Sequence, residues 1–82
     1  METKHDRFIR LAEQRTNSVI KKIRLISNLS NSRNYDYSKK EVQEIFSAIE
    51  EEVRLAKRIF EKELLQKNER FTFSSKKDDK NE

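Results

Sequence analysis

Residues 37–42 read Tyr37-Ser38-Lys39-Lys40-Glu41-Val42, in a chain of 82 residues that contains neither glycine nor proline. Ser followed three positions later by Glu is the pattern of a capping box. The Ser38 hydroxyl accepts from the Glu41 amide, and the Glu41 carboxylate accepts from the Ser38 amide. A helix is therefore expected to start at residue 39. Tyr37 just before the cap and Val42 at the fourth helical position can close a hydrophobic staple over that start. Downstream, Val42, Phe46, Ile49, Val53, Ala56 and Phe60 recur at alternating spacings of four and three, a coiled-coil-like seam on a helix expected over about 39–69. Upstream, Phe8, Ile9, Leu11, Ala12, Val19, Ile20, Ile23, Ile26 and Leu29 gather on one side of a helix expected over about 4–30.

Between the two helices, residues 31–37 (Asn-Ser-Arg-Asn-Tyr-Asp-Tyr) form a polar turn, in which Asn31 or Asn34 can take the left-handed conformation that glycine otherwise supplies. A link this short makes the helices antiparallel neighbours. The expected fold is all-α, an antiparallel two-helix hairpin over residues 1–70. With Ser30 opposite Ser38, Ile26 faces Val42, Ile23 faces Ile45, Val19 faces Ile49, Ala12 faces Ala56 and Phe8 faces Phe60. Arg15, a charge on the apolar side of the first helix, falls opposite Val53 beside Glu52, where an ion pair can satisfy it. A second stripe on helix two, Ile45, Ala48, Leu55 and Ile59, stays uncovered by such a hairpin, and Leu25 flanks helix one in the same way. A homodimer completing a four-helix bundle, or a helix from another protein, is the expected cover. Residues 71–82 run into Ser-Ser-Lys-Lys-Asp-Asp-Lys-Asn-Glu and read as a disordered polar tail.

Composition narrows the function classes. Charged residues make up 41% of the chain, yet Leu, Ile, Val and Phe supply about a quarter of it, more than disordered chains carry. The chain should fold as one small domain, with self-association as its main support. It has no cysteine and one histidine, so disulfides and thiolate metal sites are excluded, and neither a metal nor any other cofactor is expected. Without glycine, the P-loop and dinucleotide fingerprints are excluded as well. Nucleophilic catalysis needs a base with an orienting group, and His5 lies at a fraying end. Glu50, Glu51 and Glu52, like Asp78 and Asp79, follow one another in sequence instead of sharing a face, which marks solvated charge. No enzyme and no small-molecule substrate are expected. No apolar run is long enough to span a membrane or to serve as a signal peptide, so a cytoplasmic location is expected, with no membrane partner.

Two surfaces remain as binding sites. Arg7, Arg10, Gln14, Asn17, Lys21, Arg24 and Asn28 share an arc of about 100° on helix one, free of acids and about 30 Å long. These are residue types that contact phosphates and base edges. Residues 1–40 carry ten Lys and Arg against four acids, and residues 41–82 carry nine against eleven, so the basic excess lies on helix one and its turn. Against nucleic-acid binding, the net charge is only +4 and aromatics are not interleaved with the charges. A solvated exterior explains such a face equally well. The rival surface is the turn, where Arg33, Asn34, Tyr35 and Tyr37 have the composition of a protein-binding hot spot. Tyr37 has a structural use in the staple, whereas Tyr35 has none that its position requires.

The segments RFIRLAEQRTN (7–17), IRLISNLSNSRNYDYS (23–38) and EIFSAIEEEVRLAKRIF (44–60) resemble a family of short uncharacterised helical proteins of Gram-positive bacteria, phages and plasmids. The turn, Asn-Leu-Ser-Asn then Asn-Tyr-Asp-Tyr, is the most specific part of the likeness. Where such proteins usually carry glycine before Asn-Leu-Ser-Asn, this chain has Ser27. The resemblance implies no activity, but it does imply that the turn is more than a spacer. The expectation is a non-enzymatic helical interaction or regulatory protein, encoded by a phage or other mobile element and acting on a macromolecular partner as an inhibitor or anti-repressor does. The alternatives are a nucleic-acid-binding accessory protein using helix one, and a purely structural oligomer.

Overall fold

The computed structural model describes residues 1–69, which are all-helical, with two α-helices and no strand among the described residues. Helix α1 spans Lys4–Ser27, a single 3-10 turn spans Asn28–Ser30, and helix α2 spans Lys39–Glu69. The chain divides into two units, Met1–Ser38 and the part from Lys39 onward. The expected tail over residues 71–82 lies outside the described residues.

In the first unit, α1 is opened by a capping box that the sequence pattern had not marked. Thr3 is extended (φ −79°, ψ 170°) and caps the helix. Its hydroxyl accepts from the Asp6 amide at 3.0 Å, and its own amide donates to Asp6 Oδ2 at 3.3 Å. Two amides that the helix leaves unpaired are thus satisfied reciprocally. Asp6 also places a negative charge at the positive end of the helix dipole.

At the other end, α1 stops as an α-helix at Ser27 and its last three expected residues tighten into the 3-10 turn. The Ser27 hydroxyl donates back to the Ile23 carbonyl at 3.3 Å, and the Asn28 amide is shared between the carbonyls of Arg24 and Ile26. Sharing of this kind draws the last turn in. Asn31 then leaves the helix in extended conformation (φ −67°, ψ 101°). The left-handed turn considered for Asn31 is therefore corrected: the helix is ended by extended backbone together with the Asn31 side chain.

In the second unit, α2 runs for 31 residues, about 46 Å at 1.5 Å per residue. Its start at Lys39 puts Ser38 at the N-cap and Glu41 at the third helical position, the register a capping box needs. Glu41 sits in the first turn and Lys67 in the last, as the dipole favours. On the helix exterior Arg54 donates to both oxygens of Glu51, at 3.0 and 2.6 Å.

No hydrophobic side chain among the described residues is buried. Leu11, Ala12, Ile23, Ile26, Val42 and Ile49 are partly shielded, but Val53 is 49% and Ile59 70% exposed. The stripes read as core positions thus stand open on each helix. A helix can bury its stripe only against another element.

Candidate functional site

The turn is organised from the backbone outward by one residue. The Asn31 carbonyl accepts from the amides of Asn34 at 3.1 Å and Tyr35 at 3.0 Å. Its side-chain Oδ1 accepts from the Arg33 amide at 3.0 Å, an Asx turn. Three successive amides are therefore satisfied without help from either helix. A second tie comes from Tyr37, whose hydroxyl donates to the Ser30 carbonyl at 2.7 Å across seven positions. Carbonyls at a helix end lack an intrahelical donor, and Tyr37 supplies one here.

Closed in this way, Ser32, Arg33, Asn34, Tyr35, Asp36 and Tyr37 line an open concavity of about 470 Å³. All four residues assigned to the turn site are brought together, but their duties differ. Tyr37 is a brace, its hydroxyl committed to Ser30 while the side chain stays 44% exposed. Tyr35 is 48% exposed. The Arg33 guanidinium forms no ion pair among the described residues. Ser32 and Asp36 complete the lining and were not singled out from the sequence. Nothing in their spacing marks them, since they enter only because Asn31 and Tyr37 close the loop.

The basic face of α1 is changed by a residue that precedes the helix. Glu2 accepts from Arg10 through both oxygens, at 2.7 and 3.1 Å, and lies 4.0 Å from the Arg7 guanidinium. The reading of this face as free of acids is corrected accordingly. A helical projection cannot place Glu2, because Glu2 is not in the helix. The hydrogen bonds that Arg10 donates to Glu2 raise the Arg10 pKa above its ordinary value, against the lowering effect of desolvation. The pair joins two exposed side chains, and its Arg10 partner stays protonated far above neutral pH. Changes around neutral pH leave it intact, whereas salt screens it. Lys21 and Arg24 form no ion pair among the described residues. Asn28 belongs to the 3-10 turn and not to α1. The cations of this face that form no ion pair among the described residues, Lys21 and Arg24, thus lie in its C-terminal half, beyond Gln14 and Asn17.

Among the described residues no group of three or more His, Cys, Asp or Glu side chains is placed to hold a metal ion. No described helix is long and apolar enough to cross a membrane. No family model, no curated protein and no solved structure matches the chain.

Proposed function

We propose that this chain is a small helical interaction protein that acts without catalysis, capturing a macromolecular partner at the tip of its turn. The observation that carries the proposal is the convergence of Arg33, Asn34, Tyr35 and Tyr37 on one concavity in which the amides of Arg33, Asn34 and Tyr35 are already satisfied. A surface held in place before binding loses less conformational entropy when a partner arrives. Exposed Tyr and Arg side chains are the types that dominate binding energy at protein interfaces. In this reading the two helices close as an antiparallel hairpin, seam against seam, and two hairpins complete a bundle. The exposed stripes on both helices favour that assembly, because a helix can cover its stripe only against another element. In this reading the protein is a regulator encoded by a mobile element and working in the cytoplasm, as an inhibitor or anti-repressor.

A second reading, an accessory nucleic-acid binder, rests on Lys21 and Arg24. The engagement of Arg7 and Arg10 by Glu2 counts against it. The two are separated by testing one pair of variants against partner capture from the native host and against gel shift at low and physiological salt. Arg33→Ala with Tyr35→Ala is expected to reduce partner affinity by roughly 100-fold or more while helicity and melting stay unchanged. Arg10→Ala with Lys21→Ala and Arg24→Ala is expected to leave capture intact. Sub-micromolar nucleic-acid binding at physiological salt, lost in the triple variant and kept in the turn variant, would reverse the assignment.

A further inference from the structure

We infer that α2 pairs antiparallel with α2 of a second copy, through the stripe Ile45, Ala48, Leu55 and Ile59. The inference rests on the homodimer reading above and adds to it a face, an orientation and a register. At 100° per residue these four side chains and Glu52 fall within an arc of about 80°. Ile45 and Leu55 are each 39% exposed and Ile59 70%. The stripe is distinct from the seam of Val42, Phe46, Ile49, Val53, Ala56 and Phe60, which a hairpin would use, so both can be covered at once.

Charge selects the orientation. Residues 41–52 contain Glu41, Glu44, Glu50, Glu51 and Glu52 and no Lys or Arg, whereas residues 53–62 contain Arg54, Lys57, Arg58 and Lys62 against Glu61 alone. Parallel pairing would set acidic block on acidic block and basic on basic. Antiparallel pairing sets acidic on basic, and two-fold symmetry makes each such contact twice. The register follows from the stripe itself. Ala48 comes opposite the partner's Leu55, small against large, and Ile45 opposite the partner's Ile59. In the same register Glu44 comes level with the partner's Arg58 on one flank of the stripe, and Glu41, in line with the stripe beyond its apolar residues, comes level with the partner's Lys62.

One region opposes this arrangement. At the two-fold axis Glu51 and Glu52 approach their own counterparts. Glu51 is already held by both donors of Arg54 on its own helix, which offsets its charge. Glu52 forms no ion pair among the described residues. Relieving Glu52 should therefore strengthen the assembly, an effect that a misfolded variant could not imitate.

The test uses the full chain in sedimentation across concentration, with Glu44→Arg, Arg58→Glu, the double reversal and Glu52→Gln. Each single reversal is expected to weaken self-association about tenfold, since two symmetry-related pairs become repulsive. The double reversal is expected to return it to within about threefold of wild type, and Glu52→Gln to tighten it by about threefold. Because the chain has no cysteine, Ala48→Cys and Leu55→Cys proteins can report the orientation directly. When the two are mixed and oxidised, the mixed disulfide should predominate over either homodisulfide. A dimer giving only homodisulfides, with no rescue by the double reversal, would overturn the antiparallel pairing and leave the homodimer reading standing. A monomer at every concentration reached would overturn both.

Discussion

The N-terminal end of α1 is held by charge and its C-terminal end by neutral hydrogen bonds. At the first, Glu2 closes on Arg7 and Arg10, and Asp6 joins Thr3 in the cap. At the second, Asn31 satisfies three amides and the Tyr37 hydroxyl reaches the Ser30 carbonyl. Exposed ion pairs weaken as salt is added, whereas hydrogen bonds between neutral groups do not depend on screening. The first end is therefore a surface whose charge adjusts to its surroundings, and the second a platform that stays put. A partner that needs fixed geometry would find it at the turn. A polyanion would have to compete with Glu2 before it could use the arginines.

The most damaging single change to this contrast should be Asn31→Ala, which removes the acceptor for the Arg33 amide. It is expected to cost about 1 kcal/mol locally and to lower partner affinity about tenfold, measured by titration with the captured partner. An unaffected affinity would mean that the turn is not held by its own bonds. Next in size, Ser38→Ala is expected to lower stability by about 1 kcal/mol in thermal unfolding. Thr3→Ala is expected to cost less, about 0.5 kcal/mol, because the contacts of Glu2 with Arg7 and Arg10 still tie down that end of α1. Equal losses would show that the start of α1 matters to the whole molecule as much as the start of α2. Smallest should be Glu2→Gln, with melting unchanged and binding to a polyanion at low salt raised a few-fold. A drop in melting temperature with no gain in polyanion binding would make Glu2 structural and remove the idea that it shields the arginines.

How much of this was legible in the sequence differs from residue to residue. The start of α2 could be read from Ser38 and Glu41 alone, since both partners of a capping box lie within one helical turn. The start of α1 carries a capping box of Thr3 and Asp6, but with Asp in place of Glu or Gln the pattern is less distinctive. Its geometry closes all the same, at 3.0 and 3.3 Å. Asn31 or Asn34 was expected to supply a left-handed turn residue, and at Asn31 the chain instead uses extended backbone and the side-chain oxygen. The four turn residues were legible from their chemistry. The brace was not, because a hydroxyl meeting a carbonyl seven residues away has no periodic signature. Glu2 escaped for a related reason, since it contacts α1 from outside the helix on which the face was projected. Apolar periodicity and the Ser38–Glu41 pair could be read; the less distinctive Thr3–Asp6 cap, and contacts that depend on a chain segment folding back, could not.

The tie from Tyr37 to Ser30 also gives the protein a built-in optical reporter. The chain has two tyrosines and no tryptophan, and both tyrosines line the turn. Tyrosine emission in the unmodified protein thus comes from the turn alone, one phenol hydrogen-bonded to a carbonyl and the other exposed, while far-ultraviolet ellipticity comes almost wholly from α1 and α2. Opening of the turn and melting of the helices can be followed in a single sample at two wavelengths, with no label attached to the surface whose binding is in question.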